Sequence, residues 1–197
     1  MKKNSELRAL ARAQLHGSWL LAVGVILIYT IIIGASNIIP GIGTLVITGP
    51  LTFGLMGYFL NKARGESAEF ENLFDGFKLF LKSFLLCLLE FVFITLWSLL
   101  FIVPGIIKSF SYSMAYFILK DNPDIGTAEA ITRSRKMMVG YKGKLFGLYL
   151  SFIGWILLCC LTLGIGFLWL YPYMTLSVAN FYEDLKNSQP GISEQAG

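Results

Sequence analysis

Ala13–Asn61 reads AQLHGSWLLAVGVILIYTIIIGASNIIPGIGTLVITGPLTFGLMGYFLN, 49 residues without an aspartate, glutamate, lysine or arginine. Charged side chains are costly in hydrocarbon, and a helix that crosses a bilayer needs about 20 predominantly apolar residues, so the stretch holds two crossings. Pro40-Gly41-Ile42-Gly43 near its middle supplies the turn, because proline lacks an amide proton and glycine accepts left-handed angles. The pattern recurs twice. Ser83–Leu119 carries only Glu90 and Lys108 in 37 residues and is interrupted at Pro104-Gly105. Leu145–Tyr182 carries no such charge in 38 residues and is interrupted at Gly164-Ile165-Gly166. The expected fold class is all-α, a polytopic membrane protein of six transmembrane helices in three hairpins.

Composition agrees with that count. The 197 residues are 55% hydrophobic and 14% charged, with a mean hydropathy of +0.66, against about 25% charged in a soluble domain. Twenty-eight charged side chains cannot cover so much apolar surface. A soluble domain, a disordered chain, a disulfide scaffold and a nucleic-acid binder driven by bulk charge are excluded, and the partner implied is a lipid bilayer.

The basic residues set the expected orientation. Lys2, Lys3, Arg8 and Arg12 precede the first hairpin; Lys62, Arg64, Lys78 and Lys82 follow it; Lys120, Arg133, Arg135, Lys136, Lys142 and Lys144 separate the second from the third; Lys186 follows the last. Fifteen of the sixteen therefore lie on one side, with Lys108 alone on the other. Positive loops stay cytoplasmic, which places both termini inside a bacterial cell membrane. A signal-peptide reading of Lys2-Lys3 and the apolar run Gly17–Ile33 competes poorly, since more apolar chain follows at Ile38 and Ile39.

A short amphipathic segment precedes each hairpin. Residues 4–15 put Leu7, Leu10, Ala11 and Leu15 on one helical face and Arg8 and Arg12 on another. Phe70, Leu73, Phe74, Phe77 and Leu81 follow the helical stripe, and residues 127–139 repeat it with Ala128, Ile131, Arg135 and Met138, capped by Thr127. Gly17, Gly76 and Gly140 mark the junctions. These spacings predict a three-fold internal repeat of about 60 residues, with units at 4–62, 66–122 and 126–186; evenly spaced loops in any six-helix protein would look similar. The units form a single membrane domain, 1–186, in which the amphipathic helices lie flat on the membrane, followed by a disordered cytoplasmic tail, 187–197.

Trp97–Pro123 (WSLLFIVPGIIKSFSYSMAYFILKDNP), Ala128–Trp155 (AEAITRSRKMMVGYKGKLFGLYLSFIGW), Leu161–Met174 (LTLGIGFLWLYPYM), Gly49–Leu60 (GPLTFGLMGYFL) and Leu73–Lys78 (LFDGFK) resemble a family of bacterial integral membrane proteins whose domain has no assigned function. The resemblance covers nearly the whole chain and implies the fold, with no site residue to carry over. A looser similarity is to the membrane domain that precedes the catalytic barrel in some glycerophosphodiester phosphodiesterases; no such barrel is present.

Few residues carry candidate chemistry. His16 has no second histidine to share a metal, and Cys87, Cys159 and Cys160 lie within predicted spans and read as small apolar fillers. No nucleophilic, phosphate-cradling or paired-carboxylate motif is present, so no enzyme, cofactor or metal is expected. Glu90, about two turns into an apolar helix, must be neutral, paired or facing water; Thr30, Ser111 and Asn180 are candidate polar partners. Glu90 and Lys108 form the candidate intramembrane polar site. Arg133, Arg135, Lys136, Lys142 and Lys144, five positive charges without an acid between them, form a candidate contact for anionic lipids or another membrane protein, or serve only to fix topology. Trp19 is expected at the inner interface, and Trp97, Trp169, Tyr171 and Tyr173 at the outer one. Gly49, Gly54 and Gly57, and Gly143, Gly147 and Gly154, are expected to allow close helix packing. The function expected is a non-enzymatic, lipid-interacting scaffold or accessory factor of the cell envelope; the alternative is a small transporter or channel using Glu90. A cavity reaching Glu90 would favour the second, and a packed bundle with a basic groove the first.

Overall fold

A computed structural model describes residues 1–36, 42–100 and 102–189. Among the described residues the chain is all-helical: α1 (Asn4–Leu15), α2 (Trp19–Ser36), α3 (Ile42–Arg64), a 3-10 turn (Phe70–Phe74), α4 (Asp75–Lys78), α5 (Phe80–Leu100), α6 (Ile102–Tyr112), α7 (Ala115–Asp121), α8 (Thr127–Met137), α9 (Lys142–Leu150), α10 (Ile153–Leu161) and α11 (Phe167–Ser188). Three stretches are long and apolar enough to cross a membrane: Trp19–Ser36, Phe80–Leu99 and Lys142–Leu161.

The punctuation falls partly where the sequence predicts. Residues 37–41, with most of the first turn, lie outside the described residues, as does 190–197 of the tail, and α11 itself runs on to Ser188. Pro104 does not make the second turn. It sits in the first turn of α6, where its missing amide is tolerated, and Gly105 brings α6 against α5 so closely that a Cβ there would meet Ser98 Oγ at 2.2 Å. Gly164 adopts φ +89° in the third turn, and Gly17 and Gly140 adopt +82° and +80° where α1 meets α2 and α8 meets α9. Gly76 has a different duty. It lies in α4 against α3, where a Cβ would stand 1.9 Å from Pro50 O, and a Cβ on Gly54 of α3 would stand 1.9 Å from Leu73 O.

That approach explains why the stripe from Phe70 to Leu81 is not one helix. It is divided among the 3-10 turn, α4 and α5; Leu73 is buried, whereas Phe74, Phe77 and Leu81 are exposed. The faces of the other amphipathic segments differ less. Leu7, Ala11 and Leu15 of α1 are fully buried. In α8 the buried face is Thr127, Ala130, Ile131, Ser134 and Met137, with Gly126 rather than Thr127 at the N-cap and Arg135 exposed.

These segments dock on protein rather than lying free. The 3-10 turn and α4 pack on α3, α8 packs on α5, α6 and α7, and α1 packs on α11, α9 and α3. Each meets a defect in the hairpin it covers. Gly76 backs onto Pro50, which sits inside α3 without an amide proton. Ser134 of α8 bridges the α6–α7 break: its Oγ donates to Ser111 O at 2.8 Å and accepts from Met114 N–H at 3.2 Å. Arg8 of α1 donates to Ser151 O at 3.0 Å, at the α9–α10 break. Backbone groups freed by a break need new partners in an apolar setting, and the amphipathic segments supply two of the three.

The glycine-rich faces contrast. Gly49 packs on α5 with Ser83 O 2.6 Å from a would-be Cβ, and Gly57 on the Lys120 side chain. Gly143 and Gly154 have nothing within 4 Å, and Gly147 only the Asn4 side chain; α9 and α10 do not use their glycines for helix contact. The core is built from α1, the second half of α3, α7, α8 and the second half of α11, whereas the ends near the hairpin turns leave Leu99, Val103, Leu157, Leu161 and Leu163 exposed.

Candidate functional site

Glu90 projects from α5 into a cavity of about 340 Å³ between the hairpins. Thr52 and Met56 of α3, Ile94 of α5, Ser109 and Tyr112 of α6, Ser113 in the α6–α7 break, and Tyr116 and Phe117 of α7 form one side. Tyr149 of α9 and Tyr171, Met174, Thr175 and Val178 of α11 form the other. The sequence puts these groups together through helical periodicity: Tyr171, Met174, Thr175 and Val178 fall at i, i+3, i+4 and i+7 of α11, as do Tyr112 and Tyr116 across a break that keeps them on one side. The cavity has a mouth and a floor. Tyr171 is 40% exposed, while Tyr116, Phe117, Thr175 and Val178 are all buried.

Three of the serine and threonine hydroxyls lining it are committed as donors, and the fourth is paired. Ser109 Oγ donates to Ile106 O, Ser113 Oγ to Phe110 O and Thr175 Oγ1 to Tyr171 O, at 2.7–2.9 Å, and Thr52 Oγ1 is paired with Tyr29 OH at 3.3 Å. Glu90 Oε1 is buried and has no hydrogen-bond partner. None of its expected partners reaches it: Thr30 donates to Ile26 O, Ser111 to Ile107 O, and Asn180 to Gln14 Oε1.

Beneath the floor lies a layer of compensated charge. The Phe117 and Tyr182 rings stack with centroids 5.2 Å apart. Tyr182 OH donates to Asp121 Oδ2 at 2.9 Å, and Asp121 also receives Arg64 at 2.8 Å and Lys186 at 2.6 Å. Arg64 reaches Glu183 at 2.7 Å as well. Burial works against the Arg64 charge, but Glu183 and Asp121 outweigh it and hold its pKa above the usual arginine value. The ends of α3, α7 and α11 thus converge on one ion cluster, which borders a second cavity of about 490 Å³ lined by Arg64, Ile118, Asp121, Arg133, Tyr182 and Lys186. Tyr182 and Ile118 line this second cavity, and Phe117, stacked on Tyr182, lines the first.

A fourth carboxylate ties α4 to α7. Asp75 accepts from Lys78 at 2.8 Å, Asn72 at 3.1 Å and Lys120 at 3.3 Å. Burial pushes its pKa up, yet those three partners outweigh it and hold the carboxyl below its usual range.

The basic run does not form one face. Arg133 pairs with Glu129 at 2.9 Å and borders the ion-cluster cavity, whereas Arg135 and Lys142 lie within electrostatic reach of Lys108. Lys108, expected on the opposite side from the other fifteen basic residues, thus comes within reach of two of them. The reason is that α8 docks at the α6–α7 break, halfway along the returning segment, and carries Arg135 towards it. Lys108 Nζ also lies 4.4 Å from the Trp97 ring centre, and it does not line the Glu90 cavity. Lys136 is exposed and Lys144 half-buried, its carbonyl accepting from Asn4. Trp19, Trp169 and Tyr173, expected at opposite interfaces, line one groove with Arg12, His16 and Trp155, and Arg12 lies over the Tyr173 ring at 5.6 Å. Cys87, Cys159 and Cys160 are free thiols.

The sequence reading singled out Glu90 but missed its tyrosines and the whole ion cluster. Tyr112 and Tyr116 at i, i+4 were a visible signal; the Arg64–Asp121–Glu183 convergence had none, since its members lie 57 and 119 residues apart. Among known proteins, the family described as "Protein of unknown function (DUF975)" matches residues 1–111 and 102–189. No curated protein and no solved structure matches the chain.

Proposed function

From the premise that this chain belongs to the DUF975 family, we propose that it is an integral membrane carrier for a small solute, with Glu90 at the binding site. Six membrane helices in three hairpins, with the ion-cluster end cytoplasmic, form its frame. The three units 4–62, 66–122 and 126–186 are arranged cyclically: the amphipathic segment of the second covers hairpin one, that of the third covers hairpin two, and that of the first covers hairpin three. Regular docking at a helix defect each time supports duplication of one ancestral unit.

The observation that carries the transport reading is the unpartnered Glu90 oxygen in a cavity walled by broken helices. An intramembrane acid marks a substrate or ion path, and discontinuous helices near the bilayer midplane are where carriers bind their cargo. On this reading the cavity opens on the side of Tyr171 and is closed by Phe117, stacked on Tyr182 beside the ion cluster and the second cavity. The floor is the cytoplasmic gate, and the protein is in its outward-facing state. The scaffold reading has less support, because Arg133 turns to Glu129 and the Arg64 cluster holds as many acids as bases.

Single-cysteine accessibility tests this reading. In a protein with Cys87, Cys159 and Cys160 replaced by serine, Ser113→Cys is expected to react with a membrane-impermeant thiol reagent added outside the cell and to resist it in inverted vesicles. Adding Tyr182→Ala is expected to admit the reagent from the cytoplasmic side. A folded protein that reacts from neither side contradicts the proposal.

A further inference from the structure

We infer that the ligand of the Glu90 cavity is a small organic cation carrying a substituted or quaternary ammonium group. This rests on the transport reading and names its cargo class.

The argument starts from charge. A buried carboxylate is costly unless a counter-charge or donor meets it, and Glu90 Oε1 has neither. No lysine, arginine or histidine lines the cavity. Lys120 is engaged with Asp75 and Lys108 lies over Trp97, while Arg135 is within electrostatic reach of Tyr112 without lining the cavity. With the cavity empty the carboxyl stays neutral; when it ionises, the positive charge must arrive with the ligand.

The walls specify its kind. Ser109, Ser113 and Thr175 have given their protons to backbone carbonyls, so they turn acceptor lone pairs to the cavity. An anion would meet the Glu90 carboxylate and these acceptors, with only the tyrosine hydroxyls as donors. Tyr112, Tyr116, Tyr149 and Tyr171 add four aromatic rings, and a ring face turned to the cavity attracts a cation through its negative quadrupole. Met56 and Met174 contribute polarizable thioethers. A strongly hydrated metal ion would demand a ring of oxygens that one carboxylate does not provide, and among the described residues no group of three metal-ligating side chains exists. A carboxylate with several aromatic faces instead matches the cage that binds alkylated ammonium groups. The volume, near the lower end of the ~300–1,000 Å³ typical of small-molecule sites, limits the ligand to a small one.

Choline and its uncharged carbon isostere 3,3-dimethylbutan-1-ol separate charge from shape. Binding to the full-length protein in dodecyl maltoside micelles would be measured by titration calorimetry. Choline is expected to bind at least tenfold more tightly than the isostere. Glu90→Gln is expected to weaken choline at least tenfold while leaving the isostere unchanged, and Tyr112→Leu or Tyr171→Leu to weaken choline several-fold. Equal affinity for choline and the isostere overturns the inference, and it does so on the unmodified protein even if a variant fails to fold. Absence of choline binding in a protein whose Ser113→Cys form reacts from outside also overturns it, leaving the cavity itself intact. An unreactive Ser113→Cys instead removes the transport reading on which the inference stands.

Discussion

Glu90 and Asp121 are both carboxylates withdrawn from solvent on either side of the Phe117–Tyr182 stack, and their surroundings are opposite. Asp121, with a side chain only 7% exposed, is met by Arg64, Lys186 and the Tyr182 hydroxyl. Glu90 Oε1 is met by nothing. The fold can evidently surround an acid with donors where three helix ends converge. On the proposed reading, Glu90 is a group kept for something that comes and goes, and Asp121 is part of the structure.

Substitutions rank the two sites. Asp121→Ala leaves two cations and a phenol facing one another without their acceptor, and is expected to cost about 3–5 kcal/mol, read as a large fall in melting temperature in detergent. Tyr182→Phe removes one hydrogen bond to a charged acceptor and keeps the ring stack, for about 1.5–3 kcal/mol in the same assay. A loss from Asp121→Ala no larger than that from Tyr182→Phe would break the claim that the cluster acts as a unit.

Asp75 falls between the extremes, partly exposed but fully bonded. Asp75→Asn is expected to cost about 1 kcal/mol at neutral pH. Because its folded pKa is depressed, the stability it contributes is present above the unfolded value near ~3.9 and is lost as pH falls through the lower folded value. Acid melting curves of the variant and the native protein should therefore converge as the pH drops below the ordinary carboxylate range; a gap that widens there would show that Asp75 acts otherwise. The smallest effect belongs to Glu90→Gln. With no partner to lose, its melting temperature should change by the equivalent of ~0.5 kcal/mol or less, or rise, while function in a complemented deletion strain disappears.

The all-helical class and the three stretches apolar enough to cross a membrane were legible because they depend on local chemistry. Charge-free blocks measure what can lie in hydrocarbon, and the limits of α1 and the left-handed glycines at 17, 140 and 164 follow from the chain's own neighbours. What was not legible depends on contacts between distant segments. The stripe at Phe70–Leu81 reads as one helix until α3 presses Gly54 and Pro50 against it. Lys108 reads as the lone cation of the far side until α8 docks at Ser111 and Met114. Glu90 stood out because an acid in an apolar run is anomalous by itself, but its cavity needed residues from three hairpins, and periodicity does not say which faces will meet.

A hydrophobic carbodiimide reacts with protonated carboxyl groups in apolar surroundings, and peptide mapping after treatment with dicyclohexylcarbodiimide compares the two acids directly. The account predicts adduct on Glu90, none on the ion-paired Asp121, and protection of Glu90 by choline. Adduct on Asp121 with Glu90 unmodified would contradict it.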